Sequence, residues 1–377
     1  MIARPKEAAL EKIREDVRGV GEGRTTLEAA SAARHPKNVR VLVVDGPSAA
    51  MRVVPSKDVA SLFFSGDLLV VNDAATLPAS LTARTSRGEE IELRLASMTG
   101  ERRWIVALFG SGSFRTRTED RPAPPRIGRG EALVLGEDLV ARVIDFLPES
   151  SRLLTVELSL AHRPHASMAE LWSALYRAGQ PVQYAHVPEP FALWDVQNVY
   201  ASRPWAVEMP SAGRALQIET LLELRQRGVE IARVTHAAGL SSIGDAGLDA
   251  LLPLPERFEV SEETWTAVAR SRARGGRVVA IGTSVVRALE GSARAGKLAG
   301  VTDFRIGPAT RRAVVDAVLT GLHDIDTSHF ALLGAFASVP LMTDAIEVAK
   351  AHGLLGHEMG DACLVWAEPR KASRFVG

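Results

Sequence analysis

Hydrophobic and polar positions alternate in two rhythms along this chain, and the change of rhythm divides it. Val39 to Asp45 is a short apolar run that predicts a first strand. Leu68 to Val71 predicts a second, fully buried one, ending in the polar pair Asn72 and Asp73. Polar groups just beyond a buried strand sit where α/β sheets present their ligand crevice. From Ser80 to about Leu160 the runs become short and alternating: residues 90–95 (EIELRL), 103–109 (RWIVALF), 132–146 (ALVLGEDLVARVIDF) and 153–160 (LLTVELSL), separated by Gly, Pro and Ser clusters. Such alternation predicts a small antiparallel barrel or sandwich.

Beyond residue 160 the period lengthens. Ser167 and Glu170 predict a capping box that opens a helix through AELWSALYRAG. A helix around Ala215 to Arg227, strand Val229 to Thr235, helix Glu262 to Arg274, strand Arg277 to Ile281, helix Ser284 to Ala295 and strand Thr302 to Ile306 follow. This succession predicts a sheet with helical crossovers. The expected fold class is α/β: a large α/β domain, 38–79 and 161–366, with an inserted small antiparallel β-barrel domain at 80–160. Residues 1–37 form an N-terminal extension with a charged helix at 6–19, and 367–377 a basic tail. The proline-rich segment 121–130 reads as a loop, and no internal repeat is evident.

Composition narrows the function classes. A chain of 377 residues, 46% hydrophobic and 24% charged, has the make-up of a soluble globular protein. Its formal charge of +0 lacks the basic excess of a dedicated nucleic-acid binder, so any such contact is local. The single cysteine, Cys363, excludes an internal disulfide framework and a multi-thiolate zinc site. Met1 to Gly21 has alternating charges in place of a signal core, and no apolar run approaches the roughly 20 residues that span a bilayer. The expected location is the cytoplasm, without membrane attachment.

The most informative stretch is 278–290, VVAIGTSVVRALE, a buried strand that turns through Gly282 into a helix. Gly282 can bring the backbone close to a ligand, and Thr283 or Ser284 can cap a helix whose free N–H groups favour negative charge. About one turn on, Arg287 can hold a carboxylate or phosphate with its fork. Taken alone, the segment reads first as an ordinary crossover with a solvated Arg287. His162 and His165 (HRPH) have no third ligand nearby, so no metal is expected there.

Eight segments together carry a resemblance: GDLLVVND (66–73), QNVYA (197–201), PSAG (210–213), GVEIARVT (228–235), IGTSVVRALE (281–290), GVTDF (300–304), VVDAVLTGLH (314–323) and GDACLVW (360–366). In order and spacing the chain, from about Val39 to Val365, resembles the S-adenosylmethionine:tRNA ribosyltransferase-isomerases of queuosine biosynthesis. The resemblance implies a large α/β domain with an inserted β-barrel. It implies transfer and isomerisation of the ribosyl part of S-adenosylmethionine onto 7-aminomethyl-7-deazaguanine at the tRNA wobble position, giving epoxyqueuosine, adenine and methionine. S-adenosylmethionine is then a co-substrate, with no metal and no tightly bound cofactor. Within the matching motifs Asp303, His323 and Asp73 are the candidate bases, His323 having the most suitable ordinary pKa. Asn72, Tyr200, Ser211, Gly213, Gly282, Thr283, Ser284, Arg287 and Asp361 are the candidate substrate-binding positions.

Departures from the family pattern cluster. Its aspartate-threonine-arginine motif is Asp73, Ala74 and Ala75 here, and the histidine of its proline-threonine-alanine-glycine-leucine-histidine-phenylalanine motif is Ala215. Its paired histidines are Leu251 and Leu254, although Glu256 matches, and Gly321 and Leu322 precede the retained His323. A further family histidine is Ala237, beside which His236 can compensate, while Arg214 can replace a lost cation. These losses and the neutral charge weigh against tRNA as acceptor. The alternatives are an enzyme of this fold acting on another acceptor or cleaving S-adenosylmethionine, and a non-catalytic nucleoside- or RNA-binding protein.

Overall fold

The computed structural model of the chain describes residues 26–368 apart from 149, 251 and 326. The expected helix at 6–19, Leu251 and all but the start of the basic tail lie outside the described residues.

Nine strands form one mixed sheet in the order Ala299–Thr302, Glu256–Val260, Glu230–His236, Leu68–Asn72, Val278–Ile281, Ala317–Gly321, Ala362–Trp366, Arg40–Asp45 and Met51–Pro55. The central four, from Glu230 to Gly321 in that order, are parallel, and antiparallel pairs flank them. Every residue of Leu68–Asn72 is buried, because successive side chains enter different cores. Leu68 and Val70 pack with the helices Glu262–Ala273 and Thr283–Ala295, whereas Leu69 and Val71 face Leu221 and Leu224 of the helix Ile218–Gln226 on the other side. Burial on both faces explains why these strands read as continuous apolar runs instead of alternating ones.

Between the sheet strands lies a closed antiparallel barrel of Ser80–Arg84, Glu90–Met98, Arg103–Phe109, Ser150–Leu160, Leu139–Leu147 and Ala132–Leu135. Pairing of Ala83 with Leu135 closes it, and Gly179–Gln180 adds a short strand outside Ser80–Arg84. The helix Met168–Ala178 has the full capping box at Ser167 and Glu170, and its Leu171, Ala174 and Leu175 join the barrel core.

Two elements differ from the sequence expectation. The helix expected from Ala215 is a 3-10 turn, Ser211–Ala215, followed by an α-helix from Ile218, because Leu216 N–H closes back on Gly213 O at 3.0 Å. The strand expected over Thr302 to Ile306 is Ala299–Thr302 instead. It pairs with Glu256–Val260 only as far as Thr302, whose Oγ1 accepts the N–H of Phe304 at 3.1 Å and turns the chain.

Candidate active site

Val278–Ile281 is buried throughout, and Gly282 leaves it with φ 95°, a left-handed value that a side chain strains. Its N–H donates to Leu319 O at 2.7 Å, so the turn is fixed from the neighbouring strand. The helix Thr283–Ala295 starts there and carries Arg287, only 8% exposed. This guanidinium is therefore a buried cation and not a solvated one. Its Nη1 lies 2.7 Å from Glu256 Oε2, and His236 Nε2 lies 3.2 Å from the same oxygen. Gly239 N–H donates to Oε1 at 2.9 Å.

These contacts bring opposite charges together without aligned hydrogen bonds. Arg287 Nε and Nη2, both ring nitrogens of His236, and Glu256 Oε2 are buried with no hydrogen-bond partner among the described residues. Buried polar atoms are seldom left so; Glu256 Oε2 and His236 Nε2 still face each other, whereas Arg287 Nε and Nη2 and His236 Nδ1 are the atoms open to a further group. Burial raises the Glu256 carboxyl, an effect opposed by Arg287 and by the Gly239 N–H. Burial and then Arg287 push His236 well below its ordinary value, which keeps the imidazole neutral.

Asn72 holds this group in place. Its Nδ2 donates to His236 O at 3.0 Å and to Ser284 Oγ at 3.3 Å, and its Oδ1 accepts His236 N–H at 2.9 Å. The end of one strand, the end of its neighbour and the start of the helix are thus fastened through one amide. Asp73 accepts from Thr235 Oγ1 at 2.6 Å and Ser202 Oγ at 2.9 Å, so its carboxylate ties segments together. The turn Ser211–Ala215 packs against Gly282: a Cβ there would lie 3.5 Å from Ala212 Cβ. Tyr200 stands behind Gly213 with its hydroxyl 2.1 Å from where a Gly213 Cβ would be, and burial pushes its phenol far up.

His323 follows the strand Ala317–Gly321. Its Nε2 is 2.9 Å from Thr320 Oγ1 and its ring stacks on His329 at 4.7 Å. Burial and then His329 hold His323 well below the usual range, and burial and then Arg287 bring His329 to about 4. His323 and His329 thus form a stacked pair of neutral imidazoles. Next to it stand His186, His357 and Glu358, whose ligand atoms lie within 4.8 Å of one another, a set that could hold a metal ion. Tyr184 stacks on His186 and donates its hydroxyl to Glu208, whose carboxyl burial raises to about 7.

Of the sequence candidates, Asn72, Gly282, Thr283, Ser284 and Arg287 share one locus, His323 follows the strand that neighbours Val278–Ile281, and Ser211, Gly213 and Tyr200 back the turn at Gly282. Asp303 is exposed, near Arg305. Asp361 lies elsewhere: its Oδ1 accepts Arg40 N–H at 2.8 Å, and its Oδ2 accepts Leu355 N–H at 3.0 Å and meets Arg34 and Arg40. Sequence reasoning missed Tyr184, His186, Glu208, His329, His357 and Glu358. These residues come from segments without family motifs; the one available signal was the density of histidine around His323 and in the segment 352–358.

With this geometry, the relatives are informative. A family model described as a queuosine biosynthesis protein matches residues 24–365. The chain belongs to that family. It is 32% identical over 354 residues to an S-adenosylmethionine:tRNA ribosyltransferase-isomerase of Trichlorobacter lovleyi, covering 90% of this chain and 97% of the relative. It is 33% identical to the protein of the same name from Acidithiobacillus ferrooxidans, covering 86% and 90%. A solved S-adenosylmethionine tRNA ribosyltransferase from Thermotoga maritima matches with a TM-score of 0.48 at 22% identity, covering 90% of this chain and 96% of that one.

Among the described residues, the positions at which this queuosine biosynthesis family member departs from the family pattern fall in separate parts of the fold. Ala215 lies in the core behind the central sheet, Leu254 packs on the barrel core, and Ala75 sits on the short strand Ala74–Thr76 paired with Arg203–Ala206. Arg214 donates to Glu358 O at 3.2 Å and Arg34 O at 2.6 Å and so fastens backbone. His236, by contrast, stands within the buried polar group.

Proposed function

We propose that this chain is an S-adenosylmethionine-dependent ribosyl transferase and isomerase that modifies a deazaguanine base in tRNA, acting in the cytoplasm. The observation that carries this reading is the buried Arg287 fork with Nε and Nη2 unpartnered at the start of a helix, beside two neutral imidazoles. A fork and a helix N-terminus suit the carboxylate of methionine. The sulfonium acidifies the neighbouring 5′ carbon of the ribose. We assign its proton to His323, oriented by Thr320 and held neutral by burial, so that it has a lone pair to accept it. Loss of that proton expels the ring oxygen from C4′, and its electron pair becomes the C1′ carbonyl as adenine departs; the aminomethyl nitrogen then adds at C4′, C5′ closes onto C1′, and the alkoxide so formed displaces methionine from C5′ as the epoxide closes. Asn72 and Ser284 position the site without touching the reacting atoms.

A second reading, in which the donor site is kept and the acceptor differs, rests on the loss of the family side chains at Ala75, Ala215 and Leu254, although these positions lie apart in the fold. One experiment separates them: mass-spectrometric measurement of adenine and methionine released from S-adenosylmethionine, with and without tRNA carrying 7-aminomethyl-7-deazaguanine, against a no-enzyme control. Release that needs the tRNA, with a matching gain in tRNA mass, supports the first reading. Release without it supports the second. No release, with no binding of S-adenosylmethionine, overturns both and leaves a non-catalytic binding protein.

A further inference from the structure

His186 and the pair His357–Glu358 lie far apart in the chain and meet through contacts the fold enforces. His186 Nε2 is 3.2 Å from Glu358 Oε2. The His186 and His357 rings stand 4.8 Å apart between centroids at 31°. One ligand atom from each of the three residues lies within 4.8 Å of the others. Two ligands of a tetrahedral zinc ion are separated by ~3.3 Å, given metal–ligand bonds of about 2.0–2.2 Å. The His186–Glu358 spacing already matches, and a modest ring rotation brings in His357.

The backbone around His357 is specialised. His357 has φ 66°, and among the described residues only Ala49 is another non-glycine residue with positive φ. Such conformations cost free energy and are kept where the surrounding structure over-determines them. Here the surroundings do so. Asp361 accepts Leu355 N–H, Gly360 N–H donates to His357 O at 3.1 Å, and Arg214 donates to Glu358 O. Asp324 Oδ2 stands 3.9 Å from His357 Nε2, near enough to become the carboxylate that orients a metal-bound imidazole.

We propose that His186, His357 and Glu358 form a binding site for a divalent transition-metal ion of the zinc class, with a fourth position for water or a ligand. Two imidazoles and one carboxylate suit zinc, cobalt(II) or nickel(II) and are a poor match for magnesium or calcium. Three protein ligands leave a tetrahedral ion one open position. This inference does not depend on the proposed transferase activity.

The test uses the full chain, stripped with a chelator and titrated with Zn2+ against a chromogenic indicator, and separately with Co2+ followed by visible absorption. One equivalent of Zn2+ is expected, together with the intense visible bands of tetrahedral Co2+. His357→Ala and Glu358→Gln should each weaken binding by at least about 10-fold, the lower end of what loss of an outer partner alone costs. His165→Ala, an exposed histidine elsewhere, should bind like the parent. Absence of tight Zn2+ binding and of the Co2+ bands in the parent overturns the proposal, as does equal binding by folded His357→Ala and Glu358→Gln proteins. Should those two variants not fold, His186→Ala takes their place under the same criterion, and the parent's Co2+ spectrum alone remains decisive.

Discussion

Arg287 Nη1 lies 2.7 Å from Glu256 Oε2 with both side chains buried, yet two other nitrogens of that guanidinium have no partner among the described residues. A pair of this kind stabilises less than its proximity suggests, because both charges have left water. Removing one partner is worse, since it strands the other. Arg287→Ala should therefore destabilise the protein by about 3–5 kcal/mol in urea unfolding and raise the concentration of S-adenosylmethionine needed for half-maximal turnover. The double change Arg287→Met with Glu256→Leu should recover much of the stability but not the donor requirement. Unchanged kinetics in Arg287→Ala would remove this residue from the donor site.

His329 is held at about 4 against an ordinary 6.5, first by burial and then by Arg287. The unfolded chain therefore takes up this proton at higher pH than the folded protein. The stability it contributes is complete above pH 6.5 and is lost as pH falls through 4, about 3 kcal/mol in all. In His329→Gln the unfolding free energy, measured by urea titration at successive pH values, should lose that much acid slope relative to the parent. Parallel curves for the two proteins would show that His329 titrates normally.

Glu208 gives a slope of opposite sign. Burial raises its carboxyl from 4.5 to about 7, so the folded state holds a proton that the unfolded chain releases earlier. The stability present below pH 4.5 is lost as pH rises through 7, again about 3 kcal/mol. Glu208→Gln should remove this decline and gain on the parent between pH 5 and pH 8 in the same titrations. No gain would mean that the Tyr184 hydroxyl and the Ser241 N–H, which both bond this carboxylate, hold it ionised.

A methyl group at Gly213 would stand 2.1 Å from the Tyr200 hydroxyl and 2.6 Å from Asn198 Cγ. Gly213→Ala should cost about 1–3 kcal/mol through forced repacking. Combining it with Tyr200→Phe should recover part of that loss, because the closest clashing atom is gone. Differential scanning fluorimetry of the three proteins gives the comparison, and additive losses would show that the tyrosine is not what limits the space.

The large elements were legible in the sequence because burial leaves periodic marks. Runs such as Leu68–Val71 and Val278–Ile281 read as two-sided strands and the alternation from Ser80 to Leu160 as one-sided ones, although in Glu90–Met98 the polar Glu92 and Arg94 are buried as well. The strand at Ala299 was missed because it is an edge strand with exposed Ala299 and Val301, so it carries no apolar run. The geometry of the candidate site was legible where it is local, as in the turn from Gly282 to Arg287. His236 and Glu256 reach that turn from other strands, and no spacing in the chain encodes that meeting. Asp361, a polar residue inside a family motif, reads from the sequence as a ligand contact, and in the fold its oxygens meet Arg34, Arg40 and Leu355.

The pairing of Arg40–Asp45 with Ala362–Trp366 has a consequence for how the protein is made. The parallel partner of the earliest described strand of the sheet is its latest, and Asp361 reaches back 321 residues to Arg40 N–H. During synthesis the hairpin of Arg40–Asp45 and Met51–Pro55 must therefore wait with one edge uncovered while the barrel and the central strands emerge. Long-range pairing of this sort is slow and leaves an open strand edge that invites aggregation. The barrel, whose six strands all lie between Ser80 and Leu160, can close on the ribosome, but the sheet is sealed only after the last strand is released. A chain shortened before Ala362 would thus lose its beginning as well as its end.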